Sequence, residues 1–120
     1  MKIISTKFHG ILDYLVVIFL AVSPMLFKME GFLCSFTYAL AGVHFLLTIL
    51  TRYELGLIKV IPFRIHGLIE LVVSLALVGV AFYFNSQGNT LGFYFYIWLG
   101  VVILRVFFCT DFLGGPARGN

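Results

Sequence analysis

Charge is what this chain is short of. Asp, Glu, Lys and Arg make up 11% of its 120 residues, where a water-soluble domain carries about a quarter. So little polar surface cannot cover a globule in water, and with 62% of the residues hydrophobic the natural solvent is a bilayer. Cysteine is scarce too. Cys34 and Cys109 fall near opposite ends of their apolar runs, whereas a disulfide needs Cα atoms within about 7 Å. They read as small buried residues, and a disulfide framework is excluded. No Ser or Cys nucleophile stands in a recognisable motif and no glycine-rich phosphate loop is present, so the leading reading is non-enzymatic.

Long apolar runs are abundant. Four stretches reach the roughly 20 residues a membrane span needs: about His9–Phe27, Phe32–Thr51, Phe63–Phe84 and Leu91–Phe112. The expected fold is an all-α four-transmembrane-helix bundle filling residues 1–120 as one integral membrane domain, with the lipid bilayer as its partner. A secretory leader is the rival for the first run, since Lys2, Lys7 and the Ala21-Val-Ser23 triplet imitate one. Pro24 after that cut, Asp13 inside the run and a second copy of the pattern mid-chain oppose it.

The few basic residues set the expected topology. With four spans, Lys2, Lys7, Arg52, Lys59, Arg64, Arg105 and Arg118 share one side and Lys28 holds the other. Lys and Arg near span ends stay cytoplasmic, so both termini are expected on the cytoplasmic side of the cell membrane. The net charge of +3 then reflects topology and anionic lipid, and nucleic acid is not expected as a partner. The inner loop Arg52–Pro62 is amphipathic, with Leu55, Leu57, Ile58 and Val60 expected to lie in the head-group region. The Gly92–Trp98 stretch is aromatic and reads as an interfacial anchoring belt.

The ionisable groups recur in order. Lys7-Phe-His-Gly-Ile-Leu-Asp-Tyr14 and Arg64-Ile-His-Gly-Leu-Ile-Glu-Leu71 share the pattern basic, apolar, His, Gly, apolar, apolar, acid, bulky, 57 residues apart (66 − 9). Ser5 matches Pro62, the first as a helix N-cap and the second at the first helical position. The run Leu50-Thr-Arg-Tyr-Glu-Leu-Gly56 resembles Cys109-Thr-Asp-Phe-Leu-Gly-Gly115. The unit is a pair of spans occurring twice, at about 5–56 and 62–115. Two copies entering the membrane in the same direction imply a pseudo-two-fold axis along the membrane normal.

The run Ala21-Val-Ser-Pro-Met-Leu-Phe27 closes the first span. It resembles the signature of the SPW-repeat family of small bacterial integral membrane proteins, built of two-span repeats with Ser-Pro-Trp near the end of the first span. Ser23 and Pro24 match, Met25 replaces the tryptophan, and the second repeat carries Val80, Ala81 and Phe82 instead. The resemblance implies fold and location and no catalytic residues. Physically, Pro24 removes a backbone donor and is expected to kink the helix with Ser23 supplying a substitute partner.

His9 and Asp13 share a helix face, as do His66 and Glu70, and Gly10 and Gly67 beside the histidines permit close helix packing. His44 and Arg105 add two ionisable groups in the same cytoplasmic half. The far half has almost none, and a proton or ion path needs polar groups through the whole thickness, so one protomer makes a poor channel. An oligomer would add a path between subunits. The six-residue cluster has two readings: a hydrogen-bonded network locking two hairpins together, with Arg105 paired to an acid, or a ligand site. Candidate ligands are a transition metal on His9, His66, Asp13 and Glu70, a haem held axially by two of the three histidines, or a lipid or quinone head group. The leading function is a membrane protein whose cluster packs the bundle and binds a metal or head group. The alternative is a transporter or proton-coupled carrier using the same residues, and the third is a haem or other redox-cofactor protein.

Overall fold

A computed structural model describes residues 4–51 and 56–110. The described chain is four helices, α1 (Thr6–Leu26), α2 (Gly31–Leu50), α3 (Phe63–Ser86) and α4 (Thr90–Cys109). Each is long and apolar enough to cross a membrane, because 20 residues at 1.5 Å each span about 30 Å, the thickness of the hydrocarbon layer. Of the topology-setting residues, Lys2, Arg52 and Arg118 lie outside the described residues, as do Leu55 and the stretch after Thr110.

Helix boundaries follow local chemistry. The Ser5 hydroxyl accepts from the Phe8 amide at 3.2 Å, satisfying one of the orphan donors at the start of α1. Pro62 sits one position earlier than expected, at the N-cap of α3. At the opposite end both α1 and α3 close in the same way. The Met29 amide reaches back to the Pro24 carbonyl and the Asn89 amide to the Phe84 carbonyl, each at 2.8 Å. The residue before each donor is left-handed, Lys28 at φ 54° and Gly88 at φ 75°. This is the Schellman arrangement, with a lysine in the first turn where the second has glycine. Helix α1 runs on to Leu26 through Pro24, and the Ser23 hydroxyl donates to the Phe19 carbonyl at 2.6 Å.

The histidine-bearing ends are tied by short backbone pairings. Ile61 donates to the Leu50 carbonyl and Ile4 to the Cys109 carbonyl, both at 2.8 Å. The chain entering α3 therefore runs beside the chain leaving α2, and the chain entering α1 beside the chain leaving α4. Leu57 and Ile58 donate to the Ile49 carbonyl, so the segment before α3 satisfies a carbonyl that the end of α2 leaves open. Its Leu57, Ile58 and Val60 side chains are exposed, as a head-group loop requires.

The extensive helix contacts are α1 against α2 and α3 against α4. At two glycines the α3–α4 packing leaves little or no room for a side chain. A Cβ on Gly92 would lie 2.7 Å from Phe84 Cγ, and one on Gly100 would lie 3.0 Å from the Ser74 carbonyl oxygen. Each helix buries one stripe, such as Leu33, Thr37, Ala41, His44 and Thr48 on α2, and leaves large apolar residues outside, among them Ile18, Phe45, Val72 and Trp98. Exposed apolar surface on this scale suits lipid. The aromatic stretch at the start of α4 divides. Tyr94 and Trp98 face outward as an anchoring belt requires, whereas Phe95 and Tyr96 are core residues, and the Tyr96 hydroxyl lies 2.6 Å from that of Thr37.

Candidate metal centre

Asp13 stands one turn after His9 on α1, and Glu70 one turn after His66 on α3, so each pair projects from one helix face. The burial pattern along Ile4–Asp13 is repeated position for position along Ile61–Glu70. Both pairs therefore turn inward, and they meet. His9 Nε2 lies 3.3 Å from Asp13 Oδ1 and 2.9 Å from Glu70 Oε2. His66 Nε2 lies 3.0 Å from Asp13 Oδ2 and 3.2 Å from Glu70 Oε1. The result is a closed ring of alternating imidazole and carboxylate, each carboxylate offering one oxygen to each histidine. All four residues are buried, with His9 and His66 at 0% exposure.

The outer nitrogens of both imidazoles are held by threonines. His9 Nδ1 is 2.8 Å from the Thr110 hydroxyl, and His66 Nδ1 is 2.6 Å from the Thr51 hydroxyl. These hydroxyls donate elsewhere, Thr110 to the Val106 carbonyl and Thr51 to the Leu47 carbonyl, both at 2.6 Å. A hydroxyl has one proton, so towards histidine each threonine accepts. Nδ1 of both rings therefore carries hydrogen, and in the neutral ring the Nε2 lone pair points at the ring centre. That tautomer, held by an outer hydrogen bond, is how proteins prepare a metal-ligating histidine. Phe63 packs edge-on against His9 and stacks on His66, closing apolar contact around both rings.

The donor spacing fits an ion. The four residues each offer one ligand atom, all within 4.8 Å of one another. Nitrogen and oxygen donors about 2.1 Å from a metal lie about 3.0 Å apart at right angles and about 3.4 Å apart in a tetrahedron. The ring contacts of 2.9, 3.0, 3.2 and 3.3 Å are of that order, each carboxylate meeting the two histidines with different oxygens. Charge balance agrees. Two carboxylates are neutralised equally by two imidazolium protons or by one divalent cation between neutral imidazoles, so the site can trade one for the other without leaving net charge in a low-dielectric interior.

The remaining expected site residues fall in three groups. His44 joins the edge of the ring, with Nε2 3.7 Å from Asp13 Oδ1. Arg105 does not join it: the side chain is exposed on α4 and makes none of these contacts, because the buried stripe of α4 runs through Leu99, Gly100 and Ile103 and turns position 105 outward. Gly10 and Gly67 are buried beside their histidines, while Ser23 and Pro24 lie buried at the far end of α1 and belong to the helix, not to the site. Thr51, Thr110 and Phe63 were not expected as site residues. The paired Leu50-Thr and Cys109-Thr runs carried the signal for the threonines, while nothing in the sequence marked Phe63.

No family model, curated protein or solved structure matches this chain.

Proposed function

We propose that this chain is an integral membrane protein that binds one divalent transition-metal ion between its two helical hairpins, the ion serving to clamp them. The observation that carries this reading is the buried ring of His9, Asp13, His66 and Glu70, with both histidines turned so that Nε2 faces the centre. Mixed imidazole and carboxylate donors suit zinc, iron or manganese. The same geometry speaks against the other ligands. A porphyrin between two axial histidines has no room where two carboxylates already fill the ring, and a quinone or lipid head group has no entrance to residues so fully buried.

The wider assignment belongs to the same proposal. The chain is read as two tandem hairpins related by a pseudo-two-fold along the membrane normal. Matched contacts support this: Thr51 with His66 against Thr110 with His9, and the pairing at Ile61 against the pairing at Ile4. The basic residues support a cytoplasmic location for both termini and for the metal end, because Lys7, Lys59 and Arg64 lie exposed at that end and Lys28 at the other. Buried Ser23 and Pro24 are compatible with SPW-repeat membership. The carrier reading is disfavoured by the far half of the bundle, where the buried residues among those described are apolar apart from Thr37, Tyr96 and Ser23.

Metal analysis of protein purified without chelator or affinity metal tests the reading. One transition-metal ion per chain, lost in His9→Ala with His66→Ala, is expected. Metal-free protein that also fails to take up zinc, iron(II), manganese(II) or cobalt(II) would refute it.

A further inference from the structure

A small cavity of about 20 Å³ lies where the four helices converge. Asp13, His44 and Glu70 supply its polar wall, and Val16, Val102, Ile103 and Val106 are among its apolar lining. That volume is close to the ~10–15 Å³ that one water molecule requires by the same measure. A buried water also needs two to four polar partners, and the three polar residues meet that requirement.

One atom at this cavity asks for a ligand. His44 Nε2 is buried, and among the described residues it has no hydrogen-bond partner. His44 is 8% exposed and its Nε2 stands 3.7 Å from Asp13 Oδ1, beyond hydrogen-bond range. Glu70 Oε2, by contrast, faces His9 Nε2 at 2.9 Å within the ring. Leaving a group like His44 Nε2 unsatisfied costs more than ordinary hydrogen bonding recovers. His44 is also out of step with the duplication. By the spacing that relates Thr51 to Thr110, position 44 corresponds to Ile103, and both residues line this cavity. One wall is therefore polar and the facing wall apolar, so the two sides of an otherwise matched ring are unequal.

All four ring donors come from α1 and α3, and this cavity lies beside two of them, Asp13 and Glu70, walled otherwise by His44 of α2 and by α4. A closed structural zinc site fills its positions with protein atoms, whereas a reactive site keeps one for an outside molecule. We propose that this cavity is the exogenous-ligand position of the metal centre: it takes one water molecule, exchangeable for a diatomic molecule, with His44 as the positioning residue that hydrogen-bonds the bound ligand. This deepens the metal reading and rests on it. The apolar wall from α4 sets the size limit, and α4 gives the site no ligand.

Nitric oxide is the test probe, because it is diatomic, uncharged and soluble in lipid, and so reaches a buried membrane site. Protein in detergent or nanodiscs is loaded anaerobically with iron(II), occupancy is measured by metal analysis, and nitric oxide is added. The expected result is the half-integer-spin paramagnetic resonance signal of an iron–nitrosyl, in proportion to bound iron. Ile103→Phe fills the cavity without touching a polar group, and should keep the iron and lose the signal. His44→Leu should keep the iron and weaken nitric oxide binding about tenfold, the loss of one hydrogen bond to the ligand. Iron bound at one per chain with no nitrosyl signal would overturn the open-position proposal and leave the metal reading standing. A full signal in Ile103→Phe would overturn the assignment to this cavity. Failure to bind iron(II), zinc or cobalt(II) at all would instead defeat the metal reading itself.

Discussion

The threonine contacts give the most exacting prediction. Thr110→Val keeps the shape of a fully buried side chain and deletes one hydroxyl. The Val106 carbonyl loses the hydroxyl donor at 2.6 Å, the Thr110 amide being turned to the Phe107 carbonyl. His9 Nδ1–H loses the acceptor at 2.8 Å, and with it the force holding the ring in the tautomer that aims Nε2 inward. Outer partners of this kind are worth about 10–100-fold in metal affinity, which is about 1.4–2.7 kcal/mol. In the metal-free protein the same change leaves a buried donor poorly satisfied, at about 1–3 kcal/mol. Thr51→Val makes the equivalent change at His66 and should cost a similar amount. The double variant should lose more than either, though less than their sum if the ion shifts within the ring. Thr48→Val is the control, because Thr48 is equally buried and donates its hydroxyl hydrogen to the His44 carbonyl at 2.8 Å, away from the ring histidines. The assay is competition for zinc against a chromophoric chelator in detergent, with thermal unfolding of the metal-free protein alongside. A Thr110→Val protein that binds zinc within twofold of the parent would refute the tautomer argument and remove the strongest support for a prepared metal site.

Three further outcomes are expected. Glu70→Gln keeps the side-chain shape but removes one of two charges in the ring, and should lower stability by about 3–5 kcal/mol, as breaking one partner of a buried pair does. An unchanged melting temperature with full metal occupancy would show that Glu70 is neither paired nor ligating. Gly92→Ala drives a Cβ to 2.7 Å from Phe84 Cγ and should cost about 1–3 kcal/mol by overpacking. Gly79→Ala meets nothing within 4 Å and should be neutral or stabilising by up to about 1 kcal/mol; equal effects in thermal denaturation would contradict the α3–α4 packing. In a background without Cys34 and Cys109, a cysteine replacing Lys59 should react with impermeant thiol reagents only from the cytoplasm, and one replacing Asn85 only from outside. The reverse pattern would overturn the proposed orientation.

Much of the candidate site is legible in the sequence. The repeated His-Gly-x-x-acid pattern placed His9 with Asp13 and His66 with Glu70 on two helix faces, because positions four apart always share a face. That these faces point at each other rests on the rotation of each helix about its axis, a property of packing and not of local spacing. Arg105 illustrates the difference. Its sequence position puts it at the right depth, about one turn from the end of α4, yet its azimuth turns it outward. Thr51 and Thr110 illustrate the converse: ordinary residues at helix ends, they gain their role because the chain entering the partner helix is paired beside them.

By itself the sequence determined the apolar character of the chain, the number of helices long enough to cross a membrane and the position of the ionisable groups along them. Those follow from composition and from one-dimensional spacing, which a helix converts directly into length and face. Only the tertiary structure decided which groups touch. It closed four side chains from two helices into one ring, chose threonine over arginine as their neighbour, drew Phe95 and Tyr96 out of the aromatic belt into the core, and left a water-sized gap beside His44. The reason is that contacts between helices depend on where glycines let backbones approach and on how the connecting segments pair. Those contacts join residues far apart in the chain, as His9 to Glu70 and Thr110, and no local periodicity reaches that far.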